Sequence, residues 1–539
     1  MTNKAISGLL AAMAAALAIA AGVCWGGIEV QAEGNGAVSI GSATISGENV
    51  IVTAVTSDNP ASDDGKYYLF AEKVYQTGPA GAPVAQAPIA PNVSFNFPLE
   101  RKTVSCHLYD KFQVAVLQGG AFVPVTGSRY ITNPEAVCGW SIPRKNDGKK
   151  GLILDGAKIG NGNNEAPTLG VQQAAYNINL EDVIGGNGQV VYEYNGKTYY
   201  YDSSYLSQYD HCARTCTQQG MGVTMVLLNP WRQGEEFMIS PYSRAGLGKA
   251  EYYMMNTSED QGLENLEAVV SYLAYRYNGQ NGFGQVDNWV IANEVNAKNA
   301  WNHTDVSDLM TYARLYANEL RVCYTAIKSR NANAYVCCSV DQNWTHTHNA
   351  SYFSARSFLE AMNACICAEG NIDWALAQHP YNYPMTWTSF WTPKDAKAAS
   401  MIQHNINSPY ISMENIEQLT DYMCQPAMLN TKGAVRPILL TEVGYSSNQG
   451  EEAQAAAIVY AYQRAATNRY INMIVFNRQT DIETEVSQGL PVGLTRQDGS
   501  RKLAFEYYQQ MNGANAGEYI QRAAAYMGIG DWAAAMNAR

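Results

Sequence analysis

Two glutamates hold the most chemistry in this sequence. Glu294 closes the apolar run Trp289-Val290-Ile291-Ala292-Asn293-Glu294, and Glu442 closes Ile438-Leu439-Leu440-Thr441-Glu442, ahead of Val443-Gly444. Short apolar runs ending in a polar step read as buried β-strands, so each run delivers a carboxyl to a strand end. Cleaving an acetal needs a proton on the leaving oxygen and electron density at the anomeric carbon, which is work for one protonated and one ionised carboxyl. Two neighbouring carboxyls divide those tasks by environment. The one in the more polar surroundings stays charged, and its field helps hold the proton on the other.

The elements that must position them follow from pattern. After about Gly151, strands and helices alternate, the mark of a parallel α/β domain. The expected strands are Gly151–Leu154, Val171–Ile178, Gly222–Leu228, Asn288–Ala292, Tyr335–Val340, Trp374–Gln378, Pro437–Leu440 and Asn472–Phe476. Between them lie helical patterns such as Leu263–Tyr277, Asp305–Lys328, Ala355–Cys367 and Glu451–Ala466, with Asp305 or Ser307 as an N-cap. The fold class expected is therefore α/β, a (β/α)8 TIM barrel over 151–512, with Glu294 on the fourth strand and Glu442 on the seventh. From 36 to 140 the runs are short and β-like, including Asn49–Val55, Tyr67–Ala71, Val93–Phe97 and Phe112–Leu117. They predict a smaller, sandwich-like all-β domain, joined by a linker at 141–150. Residues 513–539 are expected to form a C-terminal helical tail. At the N-terminus, Lys4, the apolar stretch from Ile6 to Val23 and the small-residue pattern at Val30-Gln31-Ala32 read as a signal peptide over 1–32, and so as secretion. An uncleaved anchor is the competing reading.

These strand-end residues resemble the catalytic signatures of clan-A glycoside hydrolases, retaining enzymes on a (β/α)8 barrel. The resemblance implies Glu294 as acid/base, Asn293 as the amide that hydrogen-bonds the sugar 2-hydroxyl, and Glu442 as nucleophile. It also implies that His379 and Tyr381, at the end of the sixth strand, lie beside the nucleophile and orient its carboxylate. Val295 stands where the commonest clan pattern has proline, which points away from the best-known families of the clan. Substrate contacts are expected from loops at the strand ends, namely Trp231, Trp301, Asn343, Trp344 and Trp391, since aromatic faces stack on pyranose rings and amides match vicinal hydroxyls.

Two readings of other classes stay open. Asp341, His303, His346, His348 and His379 would be ligands in a metal-dependent barrel hydrolase, and an inactive barrel would bind sugar without cleaving it. Neither a cofactor nor a bound metal is expected. The charge of −12 with no basic run excludes nucleic acid and an anionic membrane as partners, leaving a carbohydrate substrate. The excess of 36 Tyr over 12 Phe suits surfaces that stack and hydrogen-bond at once. Eleven cysteines, with no CxxC pair, read as structural thiols rather than a zinc site.

Overall fold

A computed structural model describes residues 38–160, 162–349 and 351–537. The expected signal peptide lies outside the described residues. Eight strands come first, in two antiparallel sheets. β1 (Val38–Ser46), β2 (Asn49–Thr56) and β5 (Asn92–Pro98) form one sheet. The other contains β3 (Lys66–Glu72), β4 (Ala85–Pro88), β6 (Lys111–Gln118), β7 (Ala121–Pro124) and the short β8 (Arg129–Tyr130). Strict alternation in β5, where Val93, Phe95 and Phe97 are buried and their neighbours exposed, turns one face onto the other sheet. Phe97 meets Phe112 of β6 edge-on at 5.5 Å between ring centres. These are the two layers of a sandwich, as the pattern predicts.

Eight parallel strands then close a barrel: β9 (Lys150–Ile153), β10 (Gln173–Asn179), β13 (Gly222–Leu228), β14 (Asn288–Ile291), β15 (Tyr335–Val340), β16 (Ala375–Gln378), β17 (Ile438–Val443) and β18 (Ile471–Phe476). Each expected barrel strand is present within a residue or two of its predicted bounds, except that β17 runs three residues past its expected end at Leu440, to Val443. The lumen is filled by Ala175, Val290, Cys337, Ala375, Ala377, Leu439, Met473 and Val475, a packed interior rather than a pore. The main outer helices are α1 (Ser203–Gln218), α2 (Asp260–Arg276), α3 (Leu309–Lys328), α4 (Ala355–Ala368), α5 (Glu451–Thr467) and α6 (Leu503–Gln510), and α7 (Ala516–Met527) and α8 (Trp532–Met536) pack onto α5. The N-cap of α3 is Asp308, which accepts the Thr311 N–H at 2.8 Å, rather than Asp305 or Ser307. Only a residue whose side chain folds back on the first turn can cap it.

One element was not anticipated. A hairpin of β11 (Val190–Tyr194) and β12 (Lys197–Tyr201) stands between β10 and α1. Its turn has positive φ at both Asn195 (47°) and Gly196 (74°), the two-residue geometry that matches strand twist. No helix among the described residues is long and apolar enough to cross a membrane, and the ten described cysteines are free thiols.

Arg436 fixes the approach to β17. Its side chain is 1% exposed, and its donors reach the carbonyls of Met428, Ile372, Trp374 and Leu429 and the side chain of Asn371. Replacing Arg436 with Met leaves several acceptors without a donor, so unfolding free energy is expected to fall by about 3–5 kcal/mol. Urea denaturation measures this, and a loss below about 1 kcal/mol would mean that the acceptors find other donors.

Candidate active site

Alternation along the strands aims the site. Residues 175, 290, 337, 375, 377, 439, 473 and 475 face the lumen, so continuing each strand by two brings Ala292, Ser339, His379, Thr441 and Asn477 to its upper rim. Glu294 lies just past β14, and its backbone is not extended. Ala292 (φ 57°) and Glu294 (φ 37°) are both left-handed, at about 1–2 kcal/mol each for residues with a Cβ. The twist is held from β15, because Ser339 Oγ accepts the Glu294 N–H at 3.1 Å and the Ser339 carbonyl accepts the Val295 N–H at 3.0 Å. Proline at 295 would have no N–H for that bond.

Glu442 sits inside β17, where strict alternation from Leu439 would turn it away from the lumen. The pairing with β18 shifts register between Leu440 and Val443, and such irregularities re-aim side chains. Gly444 then passes close to the neighbouring strand end, where a Cβ would stand 2.8 Å from the Asn477 carbonyl.

β16 links the two glutamates. His379 Nδ1 lies 2.8 Å from Glu294 Oε1, and its Nε2 lies 3.0 Å from Thr441 Oγ1. Tyr381 donates its hydroxyl proton to Glu442 Oε1 at 2.7 Å, and Asn477 Nδ2 donates to the Tyr381 oxygen at 3.2 Å. Because Asn477 takes up a lone pair on the tyrosine oxygen, the tyrosine proton is directed at Glu442. Tyr381 thus stands beside Glu442 as the resemblance implies, while His379 pairs with Glu294 instead.

The electrostatics differ between the partners. Burial raises the Glu294 pKa above the ordinary carboxylate range; the His379 hydrogen bond opposes this, and the charges of Asp341 and Glu442 add to it. Burial opposes a charge on His379, yet the Glu294 bond and the surrounding carboxylates outweigh it and raise that pKa too. Both shifts describe one proton retained between Glu294 and His379. Burial and the adjacent Glu442 hold the Tyr381 phenol far above its usual range, so it remains a donor.

Asp341 anchors the adjoining wall. Asn296 Nδ2 donates to its Oδ1 at 2.6 Å, Asn343 Nδ2 donates to its Oδ2, and Gln378 donates to its carbonyl at 2.7 Å. Asn343 is therefore committed to Asp341. The Asn293 side chain makes no hydrogen bond among the described residues and stays free for a ligand.

The expected aromatic contacts divide. Trp344 is 0% exposed, with its indole N–H on the Ile406 carbonyl at 3.0 Å and its ring against Tyr422, so the expectation of a sugar contact is corrected: no face is left to stack on. Trp391 packs edge-on against Phe390 and Tyr526 of α7. Trp301 stacks on Tyr252 at 5.7 Å and 14°, and Trp231 is 39% exposed. The residues that supported a metal reading have other partners: His303 lies against Tyr253, His346 against Tyr410, and His379 on Glu294. Among the described residues no three side chains of His, Cys, Asp or Glu are placed to hold a metal. Ser339, Thr441, Asn477 and Asn296 were not singled out in the sequence. The lumen alternation could have found the first three.

Titration tests the retained proton. With side-chain carbon-13 labels, Glu294 is expected to titrate above the ordinary glutamate value of 4.5, and higher still in His379→Gln, because the histidine bond favours the charged carboxylate. A downward shift in that variant would contradict the pairing.

No curated protein matches the sequence. Among solved structures, a family 39 glycoside hydrolase from the gut symbiont Bacteroides cellulosilyticus WH2 has a TM-score of 0.43 and 14% identity, covering 85% of this chain and 79% of that one. Bacteroides uniformis beta-glucuronidase 2 has a TM-score of 0.39 and 10% identity, covering 88% of this chain and 50% of that one, so the chain spans about half its length. For Ruminococcus gnavus beta-glucuronidase the values are 0.35, 9%, 88% and 68%. These likenesses are weak, and the chemistry of the site rests on its own geometry. Residues 142–535 match a family described as a family of unknown function, DUF5722, and the chain belongs to that family.

Proposed function

We propose that this protein is a retaining glycoside hydrolase that cleaves O-glycosidic bonds of an oligo- or polysaccharide by double displacement. The observation that carries this reading is the pair of strand-end carboxyls held by one strand, with His379 on Glu294 and Tyr381 on Glu442. A proton retained at Glu294 suits a general acid, and a carboxylate fixed by a tyrosine donor suits a nucleophile.

In the first step Glu442 attacks the anomeric carbon while Glu294 gives its proton to the departing oxygen, leaving a glycosyl ester on Glu442. In the second, Glu294 takes a proton from water, the water oxygen attacks the same carbon, and the ester bond breaks. Two inversions return the sugar with its original configuration. Asn293 is free to meet a hydroxyl of the bound ring, and the Trp301–Tyr252 stack offers an aromatic surface past the end of β14. In this reading the protein is exported to meet its glycan, and residues 38–140 brace the barrel wall.

The test uses a panel of aryl glycosides and then product stereochemistry. Glu294→Ala is expected to lose about 10²–10⁴-fold in rate on substrates whose leaving group needs a proton, while a dinitrophenyl glycoside still glycosylates Glu442. Azide should rescue that variant with retained configuration, and should rescue Glu442→Ala with inverted configuration. Inverted product from the unaltered protein would overturn the mechanism, and no hydrolysis of any glycoside would favour the inactive sugar-binding barrel.

A further inference from the structure

A cavity of about 440 Å³ opens between the N-terminal sheets and the β11–β12 hairpin, with Arg101, Lys102, Tyr192, Glu193, Tyr275 and Arg330 in its lining. It is not at the rim that carries Glu294. Tyr275 lies in the last turn of α2, and Arg330 follows the C-terminal end of α3. Barrel helices run antiparallel to the strands, so these helix ends lie toward the opposite end of the barrel from Glu294.

The lining combines two features. The first is unneutralised positive charge. Arg330 spends its Nε on the Ser271 hydroxyl and one terminal nitrogen on the Tyr192 hydroxyl, both at 2.9 Å, and it pairs with no carboxylate among the described residues. Lys102 is exposed, and its ammonium has no partner among the described residues. Arg101, by contrast, is ion-paired with Glu48 at 3.7 Å and donates to the Val137 carbonyl at 3.3 Å, so the free charge of the wall is that of Arg330 and Lys102. Glu193, the acidic member of the wall, accepts the Thr198 hydroxyl at 2.7 Å. In a chain of net charge −12, such a concentration of cations is a local reversal of sign.

The second feature is aromatic. Tyr192 and Tyr194 project from the same face of β11 and stack at 5.7 Å and 14°, and Tyr275 joins Tyr192 at 6.3 Å and 29°. Tyr275 remains 41% exposed. Tyrosine faces take the apolar side of a sugar ring, and a guanidinium with an uncommitted terminal nitrogen takes an oxyanion.

We propose that this cavity is a second carbohydrate-binding site, selective for an anionic sugar residue, carboxylated or sulfated, and separate from the catalytic rim. Tyr275, backed by Tyr192, carries the ring, Arg330 and Lys102 bind the acid group, and Ser271 and Tyr192 hold the guanidinium in place. The site would retain a charged glycan on the protein whether or not bonds are cleaved at Glu294.

The experiment measures binding by calorimetry to the full chain carrying Glu294→Gln, so that no probe is consumed. The probes are an oligogalacturonate, a sulfated carrageenan oligosaccharide, a neutral manno-oligosaccharide of the same length, and inorganic sulfate. One or both anionic sugars are expected to bind at least about tenfold more tightly than the neutral one, and the stronger of them identifies the acid group. Lys102→Glu, at an exposed position with no partner to lose, and Arg330→Gln should each weaken that binding about tenfold or more. Neither substitution should change hydrolysis of a small neutral aryl glycoside when placed in the protein with Glu294 intact. Equal binding of neutral and anionic sugars, binding of inorganic sulfate alone, or anionic binding untouched by both substitutions would overturn the proposal.

Discussion

A carboxyl withdrawn from water must find a hydrogen-bond donor or keep its proton, and at the rim of this barrel β16 supplies donors to two of them. His379 and Tyr381 follow Ala375 and Ala377 on the lumen-facing side of the chain. Small residues below leave space for the bulkier Leu439 of the adjacent β17 and Met473 of β18, so the lumen closes beneath the site. That dry floor is what raises the Glu294 pKa.

Two strands depart from regular geometry near β16: β17, its direct neighbour, and β14, one strand further on beyond β15. β14 leaves in two left-handed residues and β17 shifts its register. Both departures lie at the upper ends of their strands, where fewer ladder bonds are lost by bending. The compensating contacts come from neighbouring strands: Ser339 takes the Glu294 and Val295 amides, and Asn477 sets the direction of the Tyr381 proton. Each glutamate is thus placed by residues from three strands, and the position of one is not independent of the other.

The sheets that precede the barrel are joined to its wall through polar as well as apolar contacts. Tyr109 meets Tyr194 of β11 hydroxyl to hydroxyl at 2.6 Å, and the Tyr130 amide donates to the Glu369 carbonyl at 2.9 Å. Glu267 of α2 is buried, and its pKa is pushed to about 8, with Lys73 and Asp110 of the N-terminal region among the charges acting on it. Contacts of this kind orient the hairpin against both neighbours, and the cation-lined cavity is the space left between them.

The eight barrel strands were legible because a parallel strand covered on both faces must be an apolar run, and because each crossover needs a helix of its own. For the same reason Glu294 and Glu442 stood out, as carboxyls at the ends of such runs. The hairpin carried a signal too, Asn195-Gly196 between alternating residues, but its tyrosine-rich strands lie outside the β/α repeat. What sequence could not decide was partnership. Trp344 lies in a loop after β15 like a sugar-binding residue, yet its burial depends on Ile406 and Tyr422, more than 60 positions away. His379 and Tyr381 are two residues apart and equally able to serve either glutamate. Which one each serves is set by the left-handed exit of β14 and the register shift in β17, and these depend on contacts across strands. Local sequence determined which residues form strands and which strand ends carry charge, because burial and periodicity are local. Only the closed barrel decided which charges meet, because that depends on strands brought together from across the chain.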